Sequence, residues 1–190
     1  MGIFLEKLAL SGYCSYDNNL EKNTLFFDRV NVIIGANGAG KSNLISFLEM
    51  VAYMMTGGFR RYVAIHGGAQ SLMYFGRKCT TQINGLLTCK NEEGNVQDEY
   101  SFSLEATATG QLFFSREEMQ YWDKATYERP YIQDLGVGQS ESNMLASTNE
   151  PVKIFCNYLK QIRVFHFNDT SMAARIRNRG NAADNAYLRS

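Results

Sequence analysis

The chain has 190 residues, 45% of them hydrophobic, enough for one domain with a true core and at most two. Nineteen Lys and Arg side chains cancel nineteen Asp and Glu, so bulk charge supplies no general attraction to nucleic acid or to a membrane. The cysteines Cys14, Cys79, Cys89 and Cys156 are scattered with no C-x-x-C pair, and the only histidines are His66 and His166, which argues against a zinc site or a disulfide framework.

No apolar run reaches the ~18 residues needed to span a bilayer. The N-terminus lacks a basic n-region and carries Glu6 where a myristoylation motif needs Ser or Thr. A soluble, cytoplasmic protein without a membrane partner is expected.

Residues 3–10 read as a strand of mixed exposure, and the polar stretch Ser15 to Asn23 as a loop. Leu25-Phe26-Phe27 and Val30 to Ile34 follow as two strands. The second is nearly continuous in apolar residues, the pattern of a strand buried on both faces of a sheet. From Lys41 to Met55, apolar residues recur at three- and four-residue steps (Leu44, Phe47, Leu48, Val51, Ala52, Met55), predicting a helix that Gly57-Gly58 stops. Met50, Met54 and Met55 read as core filling. Phe59 to Ile65 suggests a short helix, and Ala69 to Gly76 a small apolar segment ending in a turn.

From Thr80 to about Trp122 the texture alternates, as in an antiparallel meander with one solvated face, with turns at Asn91 to Asn95 and Thr107 to Gly110. Asn84-Gly85 fits either a tight hairpin turn or the interior of the first of these strands. Trp122 to Glu150 is polar and reads as irregular or partly mobile. Its aromatic neighbours Tyr121, Trp122, Tyr127 and Tyr131 lack interleaved basic residues, which favours loop packing over base stacking. Pro151 opens a helix with Val152, Phe155, Cys156 and Leu159 on one face, Ile162 to Phe167 reads as a strand, and Asn168 to Ser190 as an arginine-containing tail. The expected organisation is a single unit: a core over 1–75, a meander over 76–122, an irregular segment over 123–150, and a helix, strand and tail over 151–190.

One stretch carries chemistry. Val32-Ile33-Ile34 feeds Gly35-Ala36-Asn37-Gly38-Ala39-Gly40-Lys41-Ser42, which satisfies G-x-x-x-x-G-K-[ST] between a predicted strand and a predicted helix. Glycines let backbone N–H groups converge on phosphate oxygens, and the helix N-terminus adds its own N–H groups and dipole. Lys41 would neutralise the outer phosphates of ATP, and Ser42 would hold Mg²⁺. Gly35, Ala36, Asn37, Gly38, Ala39, Gly40, Lys41, Ser42 and Asn43 are therefore the candidate nucleotide-binding residues.

Residues 35–44, Gly-Ala-Asn-Gly-Ala-Gly-Lys-Ser-Asn-Leu, are narrower than a generic P-loop. They resemble the G-x-N-G-x-G-K-S-N form of ABC-type ATPase heads of the RecF/SMC-like group, which includes AAA family ATPases of DNA repair and defence. Leu8 to Tyr16, Ser71 to Gly76 and Val164 to Ser171 are similar to further parts of that group. The resemblance implies an α/β fold: a P-loop NTPase, the N-terminal lobe of such a head, with a mixed sheet and an antiparallel β subdomain. It implies a C-terminal lobe or second subunit as partner, head-to-head dimerisation on ATP, and ATP hydrolysis only in the full-length or assembled protein. The resemblance leaves DNA open as a further partner, which the sequence itself does not show.

Two departures accompany it. Gly12-Tyr13-Cys14-Ser15 stands where the group often has a Lys or Arg beside the nucleotide. The signature motif, the Asp-Glu Walker B strand and the switch histidine are not recognisable. Leu10-Ser11-Gly12 resembles the start of a signature motif, but Tyr13 breaks it. For a Q-loop position the candidates are Asn168 and Asp169, then Gln70.

Two other readings stand beside this one. A self-contained P-loop kinase or small NTPase would use Asp169 as its catalytic, Mg²⁺-organising Walker B residue. A non-catalytic nucleotide-gated dimerisation or DNA-docking module would use Arg60 and Arg61, or Arg175, Arg177 and Arg179.

Overall fold

The computed structural model describes residues 2–164. Six strands form one sheet in the order β2-β1-β3-β4-β5-β6, with every neighbouring pair antiparallel. They are β1 (Ile3–Ser11), β2 (Thr24–Phe26), β3 (Gln82–Asn91), β4 (Val96–Ala106), β5 (Leu112–Asp123) and β6 (Tyr131–Asp134). The helices are α1 (Lys41–Met54), α2 (Phe59–Ile65), α3 (Gly68–Leu72) and α4 (Glu150–Leu159).

The meander forms as its alternation predicts, but β1 joins it: Leu8 pairs with Leu87 and Leu10 with Gly85. Asn84-Gly85 thus lies inside β3 rather than in a turn. One apolar layer covers one face of this sheet. A line of aromatic contacts runs through it, from Tyr13 to Phe47 (5.2 Å between centroids), Phe102 (6.0 Å), Phe114 (6.2 Å) and Phe59 (5.4 Å). α1 lays Leu44, Phe47, Met50, Val51 and Met54 into that layer, which accounts for its three- and four-residue period. The opposite face is polar in its middle, with Ser11, Asn84 and Ser103 linked side chain to side chain.

Two expectations fail. The sheet is antiparallel throughout among the described residues, not mixed. Val30 to Ile34 is not a buried strand: no sheet partner pairs with it there, and Val30, Val32 and Ile34 are each more than 80% exposed. An apolar run on both faces needs a ladder and two covering layers, and the described chain supplies neither.

Residues 123–150 are irregular apart from β6, yet firmly held. Glu117 on β5 is fully buried and accepts hydrogen bonds from the Tyr100 hydroxyl (2.7 Å), the Ser142 hydroxyl, the Gln139 amide (2.9 Å) and the Asn143 backbone N–H (2.9 Å). Glu141 accepts the N–H groups of Phe59 and Arg60 at 2.9 and 3.0 Å, completing the start of α2. These two carboxylates tie the irregular segment to β5 and α2. Trp122 donates to the Tyr127 carbonyl at 2.9 Å, consistent with loop packing. Ile162 to Val164 makes no strand pairing, and the remainder of that predicted strand and the arginine-containing tail lie outside the described residues.

Candidate nucleotide-binding site

The loop begins at Gly35 and closes at Gly40, which caps α1 in the left-handed region with φ 89° and no side-chain cap. The first backbone bond of the helix runs from the Leu44 N–H to the Gly40 carbonyl, at 3.0 Å. The N–H groups of Lys41, Ser42 and Asn43 precede it and have no intrahelical acceptor, as at every helix start. With no side-chain cap to take them, they are available to an anion.

Gly38 also has a positive φ, 83°, and a Cβ there would meet nothing within 4 Å. The loop is therefore open on that side. Lys41, half-buried, folds back so that its Nζ donates to the carbonyls of Gly35 (2.5 Å) and Ala36 (2.7 Å). The ammonium thus bridges both ends of the loop and holds it as a ring. Ser42 is exposed at the mouth. A donor set of uncapped N–H groups, one ammonium and one hydroxyl fits a phosphate chain with a divalent cation.

The turn after β1 closes one flank. Its backbone reverses at Cys14-Ser15, with paired Tyr13 and Tyr16 bonds at 3.1 and 2.7 Å. Asn43 donates to the Ser15 hydroxyl at 2.9 Å, and the Tyr16 hydroxyl donates to the Gly40 carbonyl at 3.3 Å. A Cβ on Gly40 would sit 2.9 Å from the Ser15 Oγ, so the turn and the loop fit only with glycine there. Beneath, the hydroxyls of Tyr13, Ser46 and Tyr62 form a closed triangle (2.9, 3.0 and 2.6 Å) that ties this turn to α1 and α2. Burial drives the Tyr13 phenol far above its ordinary value, with the neighbouring Tyr62 adding to the shift. These hydroxyls therefore remain neutral. The sequence pointed to this turn only through its missing basic residue.

Two open clefts flank Lys41. One, of about 510 Å³, is walled by Tyr16, Leu25, Phe27, Val30 and Ala39. The other, of about 440 Å³, is walled by Ile33, Ser42, Leu48, Ile162 and Val164.

The nine loop residues form one continuous turn and helix start, and the other candidates do not join them. Asn168 and Asp169 lie outside the described residues, as do Arg175, Arg177 and Arg179. Gln70 sits on α3, where its side-chain oxygen accepts the Arg77 N–H at 3.2 Å and lines a different cleft. Arg60 and Arg61 lie exposed on α2. Among the described residues no group of three His, Cys, Asp or Glu side chains is placed to hold a metal. There too, no helix is long and apolar enough to cross a membrane.

Residues 30–155, about two thirds of the chain and including the whole loop, match the family described as "AAA domain, putative AbiEii toxin, Type IV TA system". The chain belongs to this AAA-domain family. No curated protein matches it. Membership makes the chain an AAA/P-loop ATPase-like domain and implies nucleotide binding, commonly with Mg²⁺, which is the chemistry the loop's donors fit.

Proposed function

We propose that this AAA-domain protein is the ATP-binding, N-terminal part of an ABC-type head of the RecF/SMC-like kind. The observation that carries the reading is the uncapped start of α1 facing an open, glycine-built loop that Lys41 bridges. ATP binds with its phosphates on the N–H groups of residues 38–43. Lys41 leaves its loop carbonyls, at least in part, to meet phosphate charge, and Ser42 holds Mg²⁺. Bound Mg²⁺ spreads the charge that develops on the transferred phosphoryl group.

The exposed Val30–Ile34 run supports a head completed by another lobe or a second subunit. Covering it would supply both the missing sheet neighbours and the groups that orient water. The chain alone therefore binds ATP but turns it over slowly. A self-contained kinase with Asp169 at its centre is disfavoured by the antiparallel sheet, since small kinases usually keep a continuous parallel one. Among repair, chromosome maintenance and anti-phage defence, the family's toxin description favours defence.

The test is calorimetric titration of ATP with Mg²⁺ into the chain, beside Lys41→Ala. Loss of a charge-assisted contact should weaken binding by roughly tenfold or more. Equal affinity of the two proteins would refute the site. Ordinary turnover by the chain alone would refute the need for a partner.

A further inference from the structure

Among the described residues, only Cys14 and Phe75 take positive φ without being glycine, at 48° and 51°. They sit in two turns bonded to one another. The Cys14 N–H donates to the Leu72 carbonyl at 2.8 Å, the Tyr74 N–H donates to the Gly12 carbonyl at 3.0 Å, and Tyr13 bridges Met73. Beyond Phe75 the backbone is clamped again. The Thr80 hydroxyl donates to the Tyr74 carbonyl at 2.5 Å, and Gly76 N–H to the Met73 carbonyl at 2.8 Å.

A bulky residue in this region is strained, and strain of this kind persists only where the surroundings over-determine it. Burial does not explain Phe75. Its ring is 75% exposed and meets the Tyr74 ring edge-on at 4.5 Å. Phe75 is thus presented to solvent by a backbone that disfavours it. Arg77 and Lys78 follow at once and line an open cleft of about 480 Å³ with Gln70, Thr80, Thr81 and Glu105. Neither cation is in an ion pair among the described residues. Among the described residues the Arg77 guanidinium reaches the Ala108 carbonyl alone, at 3.4 Å.

We propose that the Tyr74–Lys78 turn binds single-stranded nucleic acid, with an unstacked base on the Phe75 ring and neighbouring phosphates on Arg77 and Lys78. An aromatic face beside a short basic run is the chemistry that tracks a single strand. A duplex keeps its bases stacked and offers the ring nothing. An acidic peptide would use the cations and leave the ring uncovered. Glu105 in the same cleft reduces its net charge, so stacking has to supply part of the affinity. The proposal goes beyond the nucleotide site and does not depend on it.

The experiment is fluorescence anisotropy of a labelled 15-mer of thymidylate with the full chain, from 50 to 300 mM NaCl. Binding should weaken with salt with a log–log slope of about −1.4, two phosphates at about 0.7 each. Phe75→Ala should weaken binding about tenfold, one stacked base's contribution. Arg77→Gln with Lys78→Gln should flatten the slope. Phe75→Gly relaxes the backbone, so its melting temperature should hold or rise while its binding falls, which a purely structural role would not produce. The ATP titration of the unaltered chain is read independently of the oligonucleotide, so a failed nucleotide site would be seen separately. No binding at 50 mM NaCl, unchanged binding by Phe75→Ala and Phe75→Gly, or equal competition by a 15-base-pair duplex or polyglutamate would each overturn the proposal.

Discussion

Gly85 lies directly beneath the ring of Phe47: a Cβ at Gly85 would fall 2.8 Å from the Phe47 Cζ and 2.4 Å from that of Phe102. The missing side chain on β3 is what lets the P-loop helix seat on the sheet. Gly85→Ala should overpack this point and lower stability by about 1–3 kcal/mol in chemical denaturation. Because Phe47 lies five residues beyond Ser42 on the same helix, nucleotide affinity should fall as well. A fully stable variant would show that α1 can shift without loss.

The loop glycines should separate in their effects. Gly40→Ala meets both a left-handed φ and the Ser15 hydroxyl, whereas Gly38→Ala meets only the φ. The strain alone costs roughly 1–2 kcal/mol. Gly40→Ala should therefore be the less stable protein by thermal melting. Both should lose ATP binding in the titration, Gly38→Ala because its methyl group occupies the open side of the loop.

Glu117→Ala should be among the most damaging single changes away from the loop. It strands the Tyr100 and Ser142 hydroxyls, the Gln139 amide and the Asn143 N–H around one buried position. Leaving a buried donor without its acceptor costs about 1–3 kcal/mol for each group that water does not reach. Hydrogen exchange at Asn143 should accelerate, and the loss should pass to α2 through Glu141.

Asp98 should make stability depend on pH in the unusual direction. Its side chain is buried on β4 with one oxygen unpartnered, and burial pushes the carboxyl up from 3.8 to about 6. A raised folded-state value means the folded chain binds the proton more tightly. Its contribution is fully present below about pH 4 and is lost as pH rises through about 6. Asp98→Asn should therefore be the more stable protein at pH 8, by at most about 3 kcal/mol, and the gap should close toward pH 4. Denaturation midpoints of the two proteins across that range check it.

Local pattern carried much of this architecture. The periodicity of Leu44, Phe47 and Val51 locates α1, and the alternation after Thr80 locates the meander. The glycine spacing before Lys41 marks the turn that enters α1. The pairing of β1 with β3 spans some eighty residues and leaves no local trace. Glu117 looks like any polar residue of a solvated strand face, because nothing in its neighbourhood announces the three donors that arrive from residues 139–143. Val30 to Ile34 failed for the opposite reason. Its composition reports the burial it is built for, and the described chain does not provide it. Phe75 was invisible because backbone strain has no signature in composition.

The exposed run has a thermodynamic consequence. Burying Val30, Val32 and Ile34 would release roughly 1.5–3 kcal/mol for each side chain, a large driving force ending one residue before Gly35. Whatever surface takes up that run also fixes the entry of the phosphate loop. Ligand and partner would then report on each other through a single coupling free energy, identical in both directions. The factor by which ATP tightens the partner would equal the factor by which the partner tightens ATP.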